Sequence, residues 1–192
     1  MALIEEHENQ LVLRACARDH AAFSELYTLY FERIYRYARL KLGAASEAED
    51  VTSIVFFNAW RTIDRFSPQR DASFAAWLFR IARHAVIDRY RRTRDTLSLD
   101  TSAEQSALPL SAILPGPEAQ VERQIDIDEL YAALRRLNPE QREVVLLRFV
   151  EGMSAREVGD IMGKHEGAVR GMQFRAIESL RRILASQSEA GQ

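Results

Sequence analysis

The 192-residue chain has a single cysteine, Cys16, so an internal disulfide is excluded. No set of Cys and His stands at metal-ligand spacing, which excludes a zinc-built core. Long apolar runs are also missing. Runs such as Ile54 to Phe57 and Val144 to Leu147 fall far short of the roughly 20 residues a membrane span needs. The N-terminus carries Glu5, Glu6 and Glu8 without a basic cap or an apolar core, so it does not read as a signal peptide. A cytoplasmic protein without membrane insertion is expected. Nucleophile-base pairs and glycine-rich phosphate loops are absent, and His7, His20, His84 and His165 are each isolated from a ligand pattern. Neither catalysis nor a cofactor is expected.

Net charge is also scarce, at −2. That total argues against a uniformly basic nucleic-acid binder, but it hides opposed segments. Residues 20–94 hold 13 basic and 8 acidic side chains, a balance of +5. Residues 95–130 hold one basic and 8 acidic, or −7, and residues 131–184 hold 10 and 7, or +3. Two basic blocks thus flank an acidic one.

Strand signals are weak throughout, while helical periodicity recurs in both basic blocks. The fold class expected is all-α, with two small helical domains joined by a flexible acidic linker. The division is 1–94, a linker over 95–126, a second domain over 127–186 and a tail over 187–192. In the first block Phe23, Leu26, Tyr27, Tyr30, Phe31, Ile34 and Ala38 keep helical spacing up to a stop at Gly43. Ser46 and Glu49 suggest a capping box for the next helix, which runs past Val51, Val55, Phe56 and Trp60 to about Arg65. After a polar loop, Asp71 or Ser73 can cap a helix through Trp77, Leu78, Ile81 and Ala85 to about Arg92. A short helix around Asn9 to Arg18 completes the block. From Asp95 to Glu118 the periodicity gives way to Ser, Thr, Pro and acids, the composition of a disordered linker.

The second block begins with Ile127, Leu130, Ala133, Leu134 and Leu137 on one helical face. Asn138-Pro139 with Gln141 starts a helix that Gly152 ends, and Ser154 with Glu157 opens a short one that Gly163 ends. A final helix follows from about Glu166 to Leu184. Short helix, glycine turn and longer basic helix form the pattern of a helix-turn-helix. Its last helix offers Arg170, Gln173, Phe174 and Arg175 to a DNA major groove, with Val169, Met172, Ala176 and Leu180 packing inward. Arginine suits a guanine edge, glutamine an adenine and an aromatic ring a thymine methyl. Gly167 and Gly171 each cost a helix about 1 kcal/mol against alanine, which suggests close approach of the preceding helix or of DNA. In the first block, Phe66 to Arg94 interleaves aromatics with arginines, a composition suited to unpaired bases. Within it Phe74, Trp77 and Ile81 also fit a plain core.

The segment Ala48 to Trp60, AEDVTSIVFFNAW, with Phe66 to Arg92, FSPQRDASFAAWLFRIARHAVIDRYRR, resembles region 2 of extracytoplasmic-function sigma factors. Leu137 to Leu184 resembles their region 4. The resemblance implies a dissociable promoter-specificity subunit of bacterial core RNA polymerase, commonly held inactive by an anti-sigma factor. It implies that Asp50, Val51, Phe56 and Trp60 dock on the polymerase clamp helices and that the second domain sits on the flap. By the same resemblance Phe66, Arg70, Asp71, Ser73, Trp77, Arg80, Arg83, His84, Asp88 and Arg91 would open and read the −10 element of promoter DNA. His165, Arg170, Gly171, Gln173, Phe174 and Arg175 would read the −35 element, and the acidic stretch would thread toward the polymerase channels. Ile54 and Asn58 depart from the family's usual acid and base, which implies different polymerase contacts there; Gly159 stands at a common alanine position and keeps the helix crossing tight; Ala168 stands at a frequent threonine and His165 at a frequent serine, which implies a weaker helix cap and a lost phosphate contact. An alternative is a regulator that binds operators through the same helix-turn-helix without polymerase. The aromatic-rich second surface favours the sigma factor.

Overall fold

The computed structural model describes residues 2–67, 73–97 and 133–190, with side chains over 6–67, 73–92 and 133–186. The loop positions Arg70 and Asp71, most of the acidic stretch, and Ile127 and Leu130 lie outside the described residues. Regular structure among the described residues is helical. The chain divides into two compact units, Met1–Ser106 and Ala107–Gln192.

The first unit packs α1 (Ala2–Cys16), α2 (His20–Leu42), α3 (Ala45–Thr62) and α4 (Phe74–Leu97), with a 3-10 turn at Ile63–Arg65 after α3. Helix α1 starts well before the expected Asn9. Its buried face, Leu11, Val12 and Ala15, lies on α2, and the Tyr30 hydroxyl donates to Glu8 Oε1 at 2.6 Å. Burial, then this carboxylate, hold the Tyr30 pKa above the ordinary tyrosine range. Asp19 caps α2 by accepting from the N–H groups of Ala21 and Ala22, and Gly43 ends it at φ 86°. The link between α1 and α2 is set by Arg18, a non-glycine residue at φ 65°. Its guanidinium donates to the Trp60 carbonyl at 2.6 Å and pairs with Asp64 at 2.9 Å, satisfying the open end of α3.

The expected Ser46/Glu49 capping box does not form. Helix α3 begins at Ala45, so Ser46 already lies in its first turn, and the cap position, Ala44, has no side-chain bond. Here the start is set by tertiary contacts: Ala48 is fully buried, and Arg89 of α4 donates twice to Glu47 Oε1, at 3.1 and 2.9 Å. Helix α4 is capped as anticipated by Ser73, whose Oγ accepts from Ala76 N–H at 3.2 Å. Phe66, Phe74 and Trp77 close the core with ring centroids 5.3–5.8 Å apart. On the rim of this cluster the Cys16 thiol points at the Phe66 carbonyl, 3.8 Å away. Burial, then the negative charge of Asp64, raise its pKa.

The described residues of the second unit start with helical residues 133–136, followed by α5 (Pro139–Val145), α6 (Ala155–Met162) and α7 (Glu166–Ala190). Asn138 Oδ1 accepts from Gln141 N–H at 2.8 Å, and the Ser154/Glu157 capping box is complete. Helix α5 continues as a widened turn over Leu146–Val150, where Glu151 N–H reaches back five residues to the Leu146 carbonyl. Arg142 of α5 caps the preceding helical turn, donating to the carbonyls of Leu134 at 3.0 Å and Leu137 at 3.3 Å. Leu134, Leu137, Val145 and Ala176 form a buried cluster, with Leu180 and Ile183 of α7 packed against it.

Candidate nucleic-acid interface

In the second unit the site is a helix presented by a turn. Gly163 ends α6 in the left-handed region at φ 65° and ψ 39°, which glycine enters without a Cβ penalty. Lys164 N–H bonds back to the Gly159 carbonyl at 2.9 Å, and Lys164 Nζ pairs with Glu140 at 2.9 Å, tying the turn to α5. Helix α7 then buries Val169, Met172 and Ala176, as its periodicity predicts. His165 caps it: Nδ1 accepts from Gly167 N–H at 3.2 Å, replacing the hydroxyl a serine would supply.

The opposite face of α7 carries the expected residues. Arg170, Phe174 and Arg175 are exposed, with Phe174 at 64%. Phe174 therefore sets an open apolar ring between two exposed cations on one face of the helix. Arg170 Nη2 meets Glu166 Oε1 at 2.5 Å, and since both side chains are open to water this pair is weak enough to exchange for another anion. A Cβ built on Gly171 finds nothing within 4 Å, and on Gly167 only His165 Nδ1 at 3.5 Å. Approach of the preceding helix therefore does not account for either glycine. The close approach belongs instead to Gly159.

Gln173 is not free. Arg148, on the widened turn after α5, donates from Nε to Gln173 Oε1 at 2.9 Å and from Nη1 to the Met153 carbonyl. Sequence reasoning missed Arg148 because helical spacing continued through Leu147 does not reveal the five-residue turn that positions it.

In the first unit the expected polymerase-facing set divides. Asp50 is exposed and Trp60 half-buried against His20, Phe23 and Arg18. Val51 and Phe56 are 1% and 5% exposed, so neither side chain is available to a partner. Phe56 instead packs on Tyr27 at 4.6 Å. The outer face of α3 carries Asp50, Ile54, Phe57 and Arg61, with Ile54 44% and Phe57 62% exposed. The Arg61 guanidinium lies 5.7 Å from the Phe57 ring. Their spacing of four, three and four residues is a helical stripe, and that signal could have found Phe57.

The residues expected to read single-stranded DNA divide in the same way. Phe66 and Trp77 are 6% and 8% exposed and belong to the core, so they support the site from below without offering a stacking platform. Ser73 serves as a cap and stays exposed. Arg80 and Arg83 are half-buried, while His84, Asp88 and Arg91 are exposed, the last two 3.8 Å apart. Asp50, Ile54, Asn58 and Arg61 of α3 and His84 and Asp88 of α4 line a common groove. Residues expected in two separate roles thus share one surface. Among the described residues no group of His, Cys, Asp and Glu could hold a metal ion, and no helix is long and apolar enough to cross a membrane.

Comparison with known proteins finds one family match in each unit. The family model for sigma-70 region 2 matches residues 26–96, and that for sigma-70 region 4 matches residues 127–180. The ECF RNA polymerase sigma factor BldN of Streptomyces coelicolor is 40% identical over 176 residues, covering 91% of this chain and 65% of that protein. The chain therefore spans just under two thirds of that relative's length. The RNA polymerase sigma factor CnrH of Cupriavidus metallidurans is 30% identical over 189 residues, covering 96% of this chain and 98% of its own. The solved structure of CnrH in complex with the cytosolic domain of CnrY has a TM-score of 0.70 at 24% identity, over 94% of this chain and 98% of that one.

Proposed function

The chain belongs to the extracytoplasmic-function sigma factors, and from that membership we propose that it directs bacterial core RNA polymerase to particular promoters in the cytoplasm. The observation that carries the reading is α7, an exposed Arg170, Phe174 and Arg175 face held at the end of a helix-turn-helix. A helix of this kind fits the major groove, where its N-terminal half meets base edges and its flanking cations meet phosphates. This unit reads the −35 element as duplex and rests on the polymerase flap.

The first unit has two tasks. The stripe Asp50, Ile54, Phe57 and Arg61 docks on the polymerase clamp helices, with Phe57 as its apolar anchor and Trp60 bracing the helix from behind. The loop that holds Arg70 and Asp71, with Ser73 and the polar face of α4, takes the −10 element. A flipped base offers its pairing edge to short polar side chains, and Arg80, Arg83 and Arg91 neutralise the strand beside it. An anti-sigma factor that covers the α3 stripe would keep the protein from polymerase. CnrH, a relative, has been solved in complex with the cytosolic domain of CnrY, and a comparable partner suits the apolar stripe here.

Two modestly basic blocks separated by an acidic segment neutralise few phosphates, so the protein alone binds promoter DNA weakly. Run-off transcription with core polymerase decides the matter. Promoter-specific transcripts are expected only when the protein is added, and their absence across a library of candidate promoters would overturn the reading in favour of an operator-binding regulator.

A further inference from the structure

The contact between Arg148 and Gln173 has a consequence for which base the recognition helix selects. Arginine has donors and no acceptor, so the Gln173 side chain must turn its oxygen toward Arg148. The amide orientation is thereby set by chemistry. Arg148 is itself held, since its Nη1 donates to the Met153 carbonyl at the end of the widened turn. Gln173 is half-buried and lies between Arg170 and Phe174 in sequence, beside the exposed face of α7.

A glutamine free to rotate pairs with adenine, giving a donor to N7 and an acceptor to the N6 amino group. Gln173 has its acceptor drawn toward Arg148, so what it offers a base is its NH2 group, two donors. We infer that Arg148 is a positioning residue for promoter recognition. By orienting Gln173 it makes this position of the helix select the double-acceptor edge of guanine, N7 and O6, over adenine, whose N6 group is a donor. Arg148 itself touches no base in this arrangement. Its influence on sequence passes through the glutamine.

The inference rests on the reading of α7 as the −35 helix, and the experiment separates the two. A promoter library randomised across the upstream element is transcribed by core polymerase with the full-length protein, and base preferences are read from the transcripts. Gln173→Ala should flatten preference at one position by roughly fivefold, the worth of one or two hydrogen bonds. Arg148→Ala should alter that same position, with adenine gaining on guanine, while other positions keep their order. Arg148→Lys, which retains a donor, should restore much of the original preference. Gln173→Glu, which replaces the donors with acceptors, should move the preference toward cytosine, whose N4 group donates.

A fold defect would lower use of all promoters together, and a thermal melt of each variant detects it, so a shift at one position is not a stability effect. If Arg148→Ala leaves the preference at the Gln173 position unchanged, the positioning role is wrong while the helix assignment stands. If Arg170→Ala, Gln173→Ala and Arg175→Ala all leave every upstream preference unchanged, α7 does not read the element and both readings fail.

Discussion

A methyl group added at Gly159 would lie 2.5 Å from the backbone oxygen of Lys164, whereas one added at Gly171 would meet nothing within 4 Å. The first glycine is demanded by the fold and the second is not. Gly159→Ala is expected to destabilise the second unit, because pushing the turn away from α6 costs about 1–3 kcal/mol and outweighs a helix-propensity gain of about 1 kcal/mol. Gly171→Ala is expected to stabilise it by up to about 1 kcal/mol. If Gly171 is kept so that DNA can approach the helix, the same substitution lowers −35-dependent transcription while raising the melting temperature. Thermal melts and run-off assays on both variants check the pair. Spacing alone places Gly167 and Gly171 under suspicion as crowded positions, whereas the tight crossing at Gly159 came only from the family resemblance, because crowding depends on which backbone crosses a helix. That crossing is a tertiary fact.

Helix ends were the most legible feature at the level of elements. The caps at Asn138, Ser154 and Gly163 are local chemistry and stand where the residue types place them. Ser46 failed because burial of Ala48 and the pairing of Glu47 with Arg89, 42 residues away, outweigh a local cap. Asp19 supplies a pH prediction for α2. The Ala22 N–H, then Arg14 through a hydrogen bond, hold its carboxylate below the ordinary aspartate range. A lowered folded-state pKa means that its stabilisation is fully present above the ordinary value of about 3.9 and is lost as pH falls through the lowered value. Asp19→Asn should therefore flatten the acid limb of the stability curve below about pH 4, as followed by circular dichroism, and leave the curve above pH 6 parallel to that of the unchanged protein.

For the molecule as a whole, the near-zero charge of −2 joins two basic blocks to an acidic one, a division visible in the sequence itself. The family and the helical class were legible as well, because caps, apolar periodicity and two long motifs agree. The choice of surface residues was only half legible. In a motif such as VFFNAW, adjacent phenylalanines look alike, yet successive positions on a helix turn by about 100° and face different surroundings. Phe56 is core and Phe57 is surface. Two substitutions separate their roles. Phe56→Ala should cost the first unit about 3–5 kcal/mol, seen as a lost or lowered melting transition. Phe57→Ala should leave the melt nearly unchanged and weaken binding to core polymerase by about tenfold or more in a pull-down titration, as expected for an interface anchor. Equal effects of the two on folding would remove Phe57 from the docking surface.

The thiol of Cys16, resting on the carbonyl of Phe66, makes the protein its own reporter. With one cysteine in the chain, a thiol reagent interrogates one place: the seam where α1 meets Phe66, just ahead of the residues proposed to take the −10 element. Its half-burial and raised pKa both slow the reaction, so labelling in the native state is expected to run at least about tenfold slower than in urea. Addition of core polymerase and promoter DNA should change that rate if the loop rearranges when it captures a base. Equal rates in native buffer and urea would mean that the seam stands open at rest. The chain's scarcest residue thus offers a clock for promoter opening that requires no engineered label.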